Sequence, residues 1–125
     1  MNSSQALHKK LLGNTGESIA TSYLQRKGYR IIERNFKARY GEIDIICIYQ
    51  NTLVFVEVKT RIGQEFGLPE ESVTPRKLRE VVKTAQYYLA AHTGLPENLR
   101  IDVIGIELNN CEDVVYFNHI ENVTE

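Results

Sequence analysis

Three charged side chains interrupt two apolar runs in the segment GEIDIICIYQNTLVFVEVKTR at residues 41–61. Asp44, Glu57 and Lys59 stand among Ile, Val, Leu and Phe residues that otherwise predict two core strands. Carboxylates bind hard divalent cations such as Mg²⁺, and an ammonium group stabilises charge that develops on a phosphodiester. These residue types therefore point to metal-dependent hydrolysis of a phosphate ester, provided that the fold brings them together.

A hairpin would bring them together. The short turn Gln50-Asn51-Thr52 joins the two runs, so they are expected to pair as antiparallel strands. Alternation along the second strand places Glu57 and Lys59 on one face. Pairing outward from the turn sets Asp44 opposite about residue 58, beside both of them. We therefore expect the two carboxylates and the ammonium group to converge.

The first strand of the hairpin leaves an alternative open. Alternation places Asp44 on the same face as Glu42, with Ile43 and Ile45 on the other face. Taken singly, each charged residue is explained by a cross-strand ion pair or by the charge common at strand ends, and Glu42 is either a supporting group or a strand-edge charge. The combination favours a metal site, because one lysine leaves an excess carboxylate whose repulsion a cation would relieve.

The remaining patterns predict the elements around the hairpin. A first helix is expected in residues 14–28, with Asn14 or Thr15 as its cap, and a second begins at Thr74-Pro75. An apolar stripe on the second helix should pack on the sheet; it consists of Leu78, Val82, Ala85 and Leu89. Strands are expected at residues 29–36, 42–49, 53–60, 100–108 and 113–120. The order α-β-β-β-α-β-β predicts an α/β fold with a central mixed sheet flanked by helices.

Length and composition place these elements in one domain. The 125 residues are 42% hydrophobic and 25% charged, as in soluble globular proteins. Residues 1–13 are expected to form a flexible N-terminal arm, and residues 14–125 a single domain. No apolar run is long enough to cross a bilayer and the N-terminus lacks a signal-peptide pattern, which predicts a cytoplasmic protein without a membrane partner. The two cysteines are expected to be reduced thiols, and the three histidines to be surface or incidental residues. These residues are Cys47 and Cys111, and His8, His92 and His119.

Charge is distributed unevenly along the chain. The net charge is −1, yet residues 1–40 carry eight Lys or Arg against two acids, and residues 97–125 carry one Arg against seven acids. Such asymmetry is a hint of a surface for a polyanion such as DNA. Basic residues flank the hairpin and begin the second helix, where they would contact phosphates or form a solvated helical face. They are Arg34, Lys37, Arg39, Arg61, Arg76, Lys77, Arg79 and Lys83.

The hairpin also carries a family resemblance. It resembles the D-x(n)-E-x-K signature of the PD-(D/E)XK nuclease superfamily, with twelve residues between Asp44 and Glu57. The segments ERNFKARYGEIDII, FVEVKTR, FGLPEESVTPRK and RIDVIGIE are similar to the small bacterial YraN-like family of predicted endonucleases, related to archaeal Holliday-junction resolvases. The similarity covers residues 14 to about 108. The proline of the superfamily name is absent, because Ile43 precedes Asp44.

The resemblance implies both a fold and a set of roles. It implies a restriction-endonuclease-like core, with Asp44 and Glu57 as ligands of Mg²⁺ or Mn²⁺ and Lys59 as the catalytic lysine. An acid on the first helix joins the site in resolvase-like members, and Glu17 matches that place. The alternative for Glu17 is an exposed acid in the first helical turn, where a negative charge favours the helix dipole.

Two functions of different classes follow from this sequence. The first is a metal-dependent endonuclease that hydrolyses DNA phosphodiester bonds, with branched or single-stranded-containing DNA as partner. Branched substrates are commonly cut by two-fold symmetric dimers, so a homodimer is possible. The alternative is a nucleic-acid-binding or recombination-accessory module that keeps the nuclease fold and cuts little or nothing.

Overall fold

Two α-helices, a short 3₁₀ helix and a five-stranded sheet are the regular elements of the residues that the structure describes. The computed structural model describes residues 2–63 and 67–124. The elements are α1 (Ser3–Arg26), β1 (Arg30–Ala38), β2 (Gly41–Tyr49), β3 (Thr52–Ile62), a 3₁₀ helix (Pro69–Ser72), α2 (Pro75–Ala91), β4 (Asn98–Leu108) and β5 (Val114–Ile120). The predicted α/β class and the predicted order of elements are confirmed.

The strands follow chain order across the sheet, β1-β2-β3-β4-β5. Neighbours are antiparallel except β3 and β4, which are parallel over their whole length. Because parallel neighbours need a long crossover, the chain between them contains α2. The sheet is therefore mixed, with β3 at its centre and β1 and β5 at its edges.

Each helix covers one face of the sheet with its own core. On one face Ala20 and Leu24 of α1 pack with Val56 and other buried strand residues. On the other face Val81 and Tyr88 of α2 pack in the second core. Burying a side chain of this size contributes roughly 1.5–3 kcal/mol. The predicted stripe on α2 is correct at Ala85, which is buried, whereas Leu78, Val82 and Leu89 are only partly buried at the margin of the same core.

The first helix begins at Ser3, so the prediction that it begins at Asn14 or Thr15 is wrong. Asn2 and Gln5 form a capping box: each side chain accepts a hydrogen bond from the other residue's backbone amide. Thr15 does not cap, because its hydroxyl donates within the helix to the Leu11 carbonyl at 3.0 Å. The division of the chain into an arm and one domain stays a prediction.

Alternation breaks in β2 at Asp44. Ile43 packs in the core under α2 and Ile45 in the core under α1, so the prediction that they share a face is wrong. The neighbouring strand is distorted at the same level, where Asn35 adopts a left-handed φ of 54°. The distortion turns Asp44 out of the regular pleat.

Two further predictions concern the chain as a whole. Both cysteines are free thiols in this structure, Cys47 buried and Cys111 exposed. No helix in residues 2–63 and 67–124 is both long and apolar enough to span a membrane.

Candidate active site

The Asp44 side chain accepts a backbone hydrogen bond just beyond the last backbone pair of β2 and β3. The last backbone pair of the hairpin is Ile45 with Val56, and beyond it the Val58 amide donates to Asp44 Oδ2 at 2.7 Å. The predicted position opposite residue 58 is thus right for the carboxylate, whereas the backbone register would set residue 57 opposite Asp44. Burial raises the pKa of Asp44 above its ordinary value, and the Val58 hydrogen bond opposes that rise.

Glu57 carries a carboxylate that the protein leaves half-satisfied. The residue is 4% exposed, and its Oε2 is buried without a hydrogen-bond partner among the described residues. Burial, followed by the charge of Asp44, raises the pKa of Glu57 to about 7. A buried carboxylate with one oxygen that accepts no hydrogen bond, close to a second acid, is an unfavourable arrangement that an added cation would relieve.

Glu17 reaches the same site from α1. A methyl group at the preceding residue, Gly16, would lie 1.7 Å from Thr60 Oγ1, so only glycine lets α1 approach β3 this closely. Glu17 Oε1 is buried without a partner among the described residues, and burial, followed by Asp44, raises the Glu17 pKa to about 7. The nearby Arg34 opposes that rise. Since α1 begins at Ser3, the alternative of a first-turn acid at Glu17 is wrong.

An open cleft of about 380 Å³ adjoins Glu17. Its lining includes Lys10 of α1, Lys37 of β1 and Glu42 of β2. The charge of Glu42 raises the pKa of both Asp44 and Glu17, so its carboxylate belongs to the electrostatic surroundings of the site. Polar and basic groups therefore line an opening beside Glu17.

Two lysines face Glu57 from different elements. Lys59 Nζ of β3 lies 3.6 Å from Glu57 Oε1, and Lys77 Nζ of α2 lies 3.9 Å from the same oxygen. Both lower the pKa of Glu57 and of Asp44. Asp44, Glu57 and Lys59 thus lie close together, Glu17 lies near Asp44, and Lys77 joins them; the roles of these residues stay predictions.

The donor set fits a small hard cation with an open coordination shell. Among the described His, Cys, Asp and Glu side chains, no three form a cluster that would hold a metal ion by themselves. Mg²⁺ typically takes one or two carboxylates and completes its octahedron with water and substrate phosphate oxygens. Asp44 and Glu57 can supply those two carboxylates, and a direct ligand role for Glu17 stays a prediction.

Unpartnered buried oxygens also occur outside the site, at Glu70 Oε1 and Glu107 Oε1. The other oxygen of Glu70 accepts hydrogen bonds from Tyr116 and Asn118, which hold the pKa of this carboxyl below its ordinary value. Among the described carboxyls, Glu17 and Glu57 are the two whose pKa burial raises and the charge of Asp44 raises further. The shared acid distinguishes the site from these single carboxylates.

The predicted phosphate-binding residues are scattered around this site rather than gathered in one patch. Arg34 lies near Glu17, Arg39 lies 5.9 Å from the Tyr40 ring, and the Arg61 guanidinium donates to the Gly67 carbonyl at 3.3 Å. On α2, Arg76 pairs with Glu80 at 3.9 Å. The exposed residues of the set are Arg34, Lys37, Arg39, Arg76, Arg79 and Lys83. Their contact with phosphates stays a prediction.

Sequence reasoning missed a second polar cluster on the α1 face. Asp102 is completely buried and accepts from Arg100 Nε at 2.9 Å and from the Asn122 amide at 3.0 Å. His119 Nε2 lies 2.7 Å from Asp102 Oδ2, and the Tyr23 hydroxyl contacts His119 Nδ1 at 3.1 Å. The prediction that His119 is an incidental surface residue is therefore wrong. The signal available was an Asp inside an apolar strand, the same signal that marked Asp44.

Comparison with known proteins gives the family. A model described as "Uncharacterised protein family UPF0102" matches residues 16–106. The chain belongs to this family. A UPF0102 protein of Caldanaerobacter subterraneus subsp. tengcongensis is 48% identical over 103 residues, which cover 82% of this chain and 84% of the relative. A UPF0102 protein of Geobacter sulfurreducens is 46% identical over 118 residues, which cover 94% of this chain and 91% of the relative. The predicted YraN-like family is confirmed, since UPF0102 is that family.

Membership in UPF0102 sets the limits of what the comparisons contribute. The match covers Glu17, the whole hairpin with Asp44, Glu57 and Lys59, and the start of α2 with Lys77. Neither the family description nor the names of these relatives state an activity.

Proposed function

We propose that this UPF0102 protein is a Mg²⁺- or Mn²⁺-dependent endonuclease that hydrolyses DNA phosphodiester bonds. One observation carries the proposal: Glu57 Oε2 is buried and unpartnered beside Asp44, while Glu57 Oε1 faces an ammonium group 3.6 Å away. Two neighbouring carboxylates that can hold a divalent cation, with a lysine at their side, are the groups that metal-dependent hydrolysis of a phosphodiester requires.

Each residue has a distinct part in this chemistry. Asp44 and Glu57 would hold the cation, which supplies a nucleophilic water of lowered pKa and neutralises phosphate charge. The Val58 amide fixes one Asp44 oxygen, so the carboxylate has little rotational freedom to lose when it binds. Lys59 provides a fixed positive charge for the oxygen atoms of the phosphorus transition state.

Branched or single-stranded-containing DNA is the substrate class that we propose, with a homodimer as the assembly. The family resemblance to junction resolvases supports this choice, and the exposed basic residues around the site support a partner with several phosphates. Two copies would place two sites on the paired strands of a junction.

The proposal is tested by cleavage of labelled four-way-junction, flap, duplex and single-stranded DNA with Mg²⁺, Mn²⁺ or EDTA. Glu57→Gln and Lys59→Met remove one group each, and Asp44→Asn keeps an acceptor for the Val58 amide. We expect cleavage that requires the metal and falls by about 10²-fold or more in each variant. Glu107→Gln is the matched control, because Glu107 is also a buried β-strand acid with an unpartnered oxygen.

A second readout separates metal binding from cleavage. An ion that binds the native state alone stabilises it by mass action, by about 2.7 kcal/mol at one hundred times its Kd. Mg²⁺ should raise the melting temperature of the wild type and of Glu107→Gln, but not of Glu57→Gln. If Mg²⁺ stabilises no variant and all four DNA forms remain intact, the nuclease proposal fails. Binding of one DNA form would then favour the accessory module.

A further inference from the structure

The start of α2 carries positive charge where a helix least favours it. Thr74 caps the helix by accepting from the Lys77 amide at 3.1 Å, and Pro75 occupies the first helical position. The first turn contains no acid, although Arg76 and Lys77 both lie within it. Cations near a helix N-terminus oppose its dipole by about 0.3–1 kcal/mol each. A local preference broken in this way is expected at functional positions.

Only one of these two basic side chains turns toward the acids. The Arg76 side chain is 85% exposed and pairs with Glu80 one helical turn later. The Lys77 side chain is 27% exposed and places its ammonium 3.9 Å from Glu57 Oε1. Lys77 is therefore part of the site, and not of the solvated helical surface.

Lys59 and Lys77 converge on a single oxygen without saturating it. Their ammonium groups lie 3.6 Å and 3.9 Å from Glu57 Oε1, beyond ordinary hydrogen-bond distance, so charge rather than a close hydrogen bond holds them. Asp44 and Glu57 bring two negative charges, and the lysines bring two positive ones. A divalent cation on the carboxylates would leave both ammonium groups without a counter-charge. A bound anion must then supply the counter-charge that the carboxylates no longer give to the two lysines.

We propose that Lys77 contacts a non-bridging oxygen of the scissile phosphate, so that the phosphate lies between β3 and α2. This inference rests on the proposed function. It adds a further property, coupled binding of metal and DNA, which a role for Lys59 alone does not require. Because cation binding releases both lysines for the phosphate, metal and DNA bind with positive coupling. Coupling of equilibrium binding is reciprocal, so DNA raises the affinity for the metal by the same factor.

The test compares Lys77→Gln and Lys77→Arg with Lys27→Gln, a control at the exposed C-terminal cap of α1. With four-way-junction DNA and Mg²⁺, Lys77→Gln should lower kcat by at least about tenfold and also raise KM, because a contact with the scissile phosphate is lost both in the bound complex and in the transition state. Lys77→Arg should recover part of the rate. Lys27→Gln should behave as wild type.

A binding measurement keeps the inference testable without turnover. The Kd for Ca²⁺ is measured by melting temperature with and without saturating junction DNA. DNA should tighten Ca²⁺ binding in the wild type and in Lys27→Gln, and this coupling should disappear in Lys77→Gln. Without DNA, Lys77→Gln should bind Ca²⁺ at least as tightly as the wild type, since a nearby positive charge is gone.

The outcomes separate the two proposals. If the wild type cleaves and Lys77→Gln matches it in kcat and in coupling, the Lys77 inference is overturned while the nuclease proposal stands. If the wild type does not cleave but shows coupling that Lys77→Gln loses, the nuclease proposal fails and the phosphate contact stands. A Lys77→Gln variant that weakens Ca²⁺ binding without DNA would instead assign Lys77 a structural role, against the inference.

Discussion

Two buried acids in this protein have opposite surroundings. Asp102, on the α1 face, is completely buried, and both of its oxygens accept hydrogen bonds. Burial alone would raise its pKa, but the hydrogen bonds from His119 and Arg100 outweigh burial and hold the pKa below its ordinary value. Glu57 is 4% exposed, one oxygen has no partner among the described residues, and its pKa rises to about 7.

The difference teaches how to separate structural from functional acids. The same chain that supplies Asp102 with an arginine, a histidine and a backbone amide leaves Glu57 incompletely satisfied. A fold can therefore compensate a buried carboxylate fully when nothing else has to bind there. Under the nuclease proposal, the incomplete compensation of Glu57 beside Asp44 is where the cation would bind.

The largest expected effect tests this contrast directly. Asp102→Asn removes the charge that faces Arg100 and His119, and should lower the free energy of unfolding by about 3–5 kcal/mol. Glu57→Gln removes an unfavourable buried charge, so the metal-free protein should lose no stability and should gain some above pH 7. Urea unfolding at pH 8 in EDTA measures both. Equal losses in the two variants would contradict the contrast.

The pH dependence of the metal-free protein should show the same contrast with opposite signs. Between about pH 4.5 and 7, native Glu57 retains a proton that the unfolded chain has released, so stability falls as pH rises, by on the order of 2–3 kcal/mol. Ionised Asp102 stabilises the native state at pH values above its pKa in the unfolded chain. This contribution disappears only as the pH falls through the lowered pKa of Asp102 in the native state. The urea midpoint of unfolding, measured from pH 4 to 8, reports the loss of stability that Glu57 causes.

Glu57→Gln is the control for that experiment, because it should flatten the decline of stability between pH 4.5 and 7. Glu17 shares a raised pKa and should leave a residual slope. An unchanged slope in Glu57→Gln would show that this residue does not retain its proton.

The smallest effect sharpens the contrast within α1. Gly16→Ala forces a methyl group against Thr60, and should cost about 1–2 kcal/mol while displacing Glu17 from Asp44. Mg²⁺ should then stabilise the variant less than it stabilises the wild type. Gly13→Ala is the matched control, since nothing lies within 4 Å of its added methyl group, and it should stabilise the helix by about 0.5–1 kcal/mol. Equal melting temperatures of both variants would contradict the close approach.

The sequence was informative where a short-range pattern decides the structure. The hairpin and the cap of α2 were predictable from two apolar runs around a turn and from Thr74-Pro75. The convergence of Asp44, Glu57 and Lys59 followed from the same hairpin. In contrast, α1 begins at a capping box that Asn2 forms. The first turns of this helix bury few side chains, so no periodic apolar pattern marks where it begins.

Long-range contacts were beyond that reasoning. Lys77 meets Glu57 only because α2 packs on the sheet, and the spacing in the chain does not encode this encounter. Asp102 and His119 meet across the neighbouring strands β4 and β5, where the exact register decides which side chains touch. The change of face between Ile43 and Ile45 depends on distortion of β1, where Asn35 has a positive φ. Alternation assumes an undistorted pleat and therefore fails at the site itself.

Because the Val58 amide donates a hydrogen bond to Asp44, the open end of the hairpin depends on which residue stands at position 44 of the site. A descendant that abandoned the chemistry would still need an acceptor at position 44, because losing it would fray the open end of the hairpin. Glu57 has no comparable duty and would be free to become apolar. In relatives that lack the proposed activity, therefore, position 57 should diverge first and position 44 should retain a hydrogen-bond acceptor.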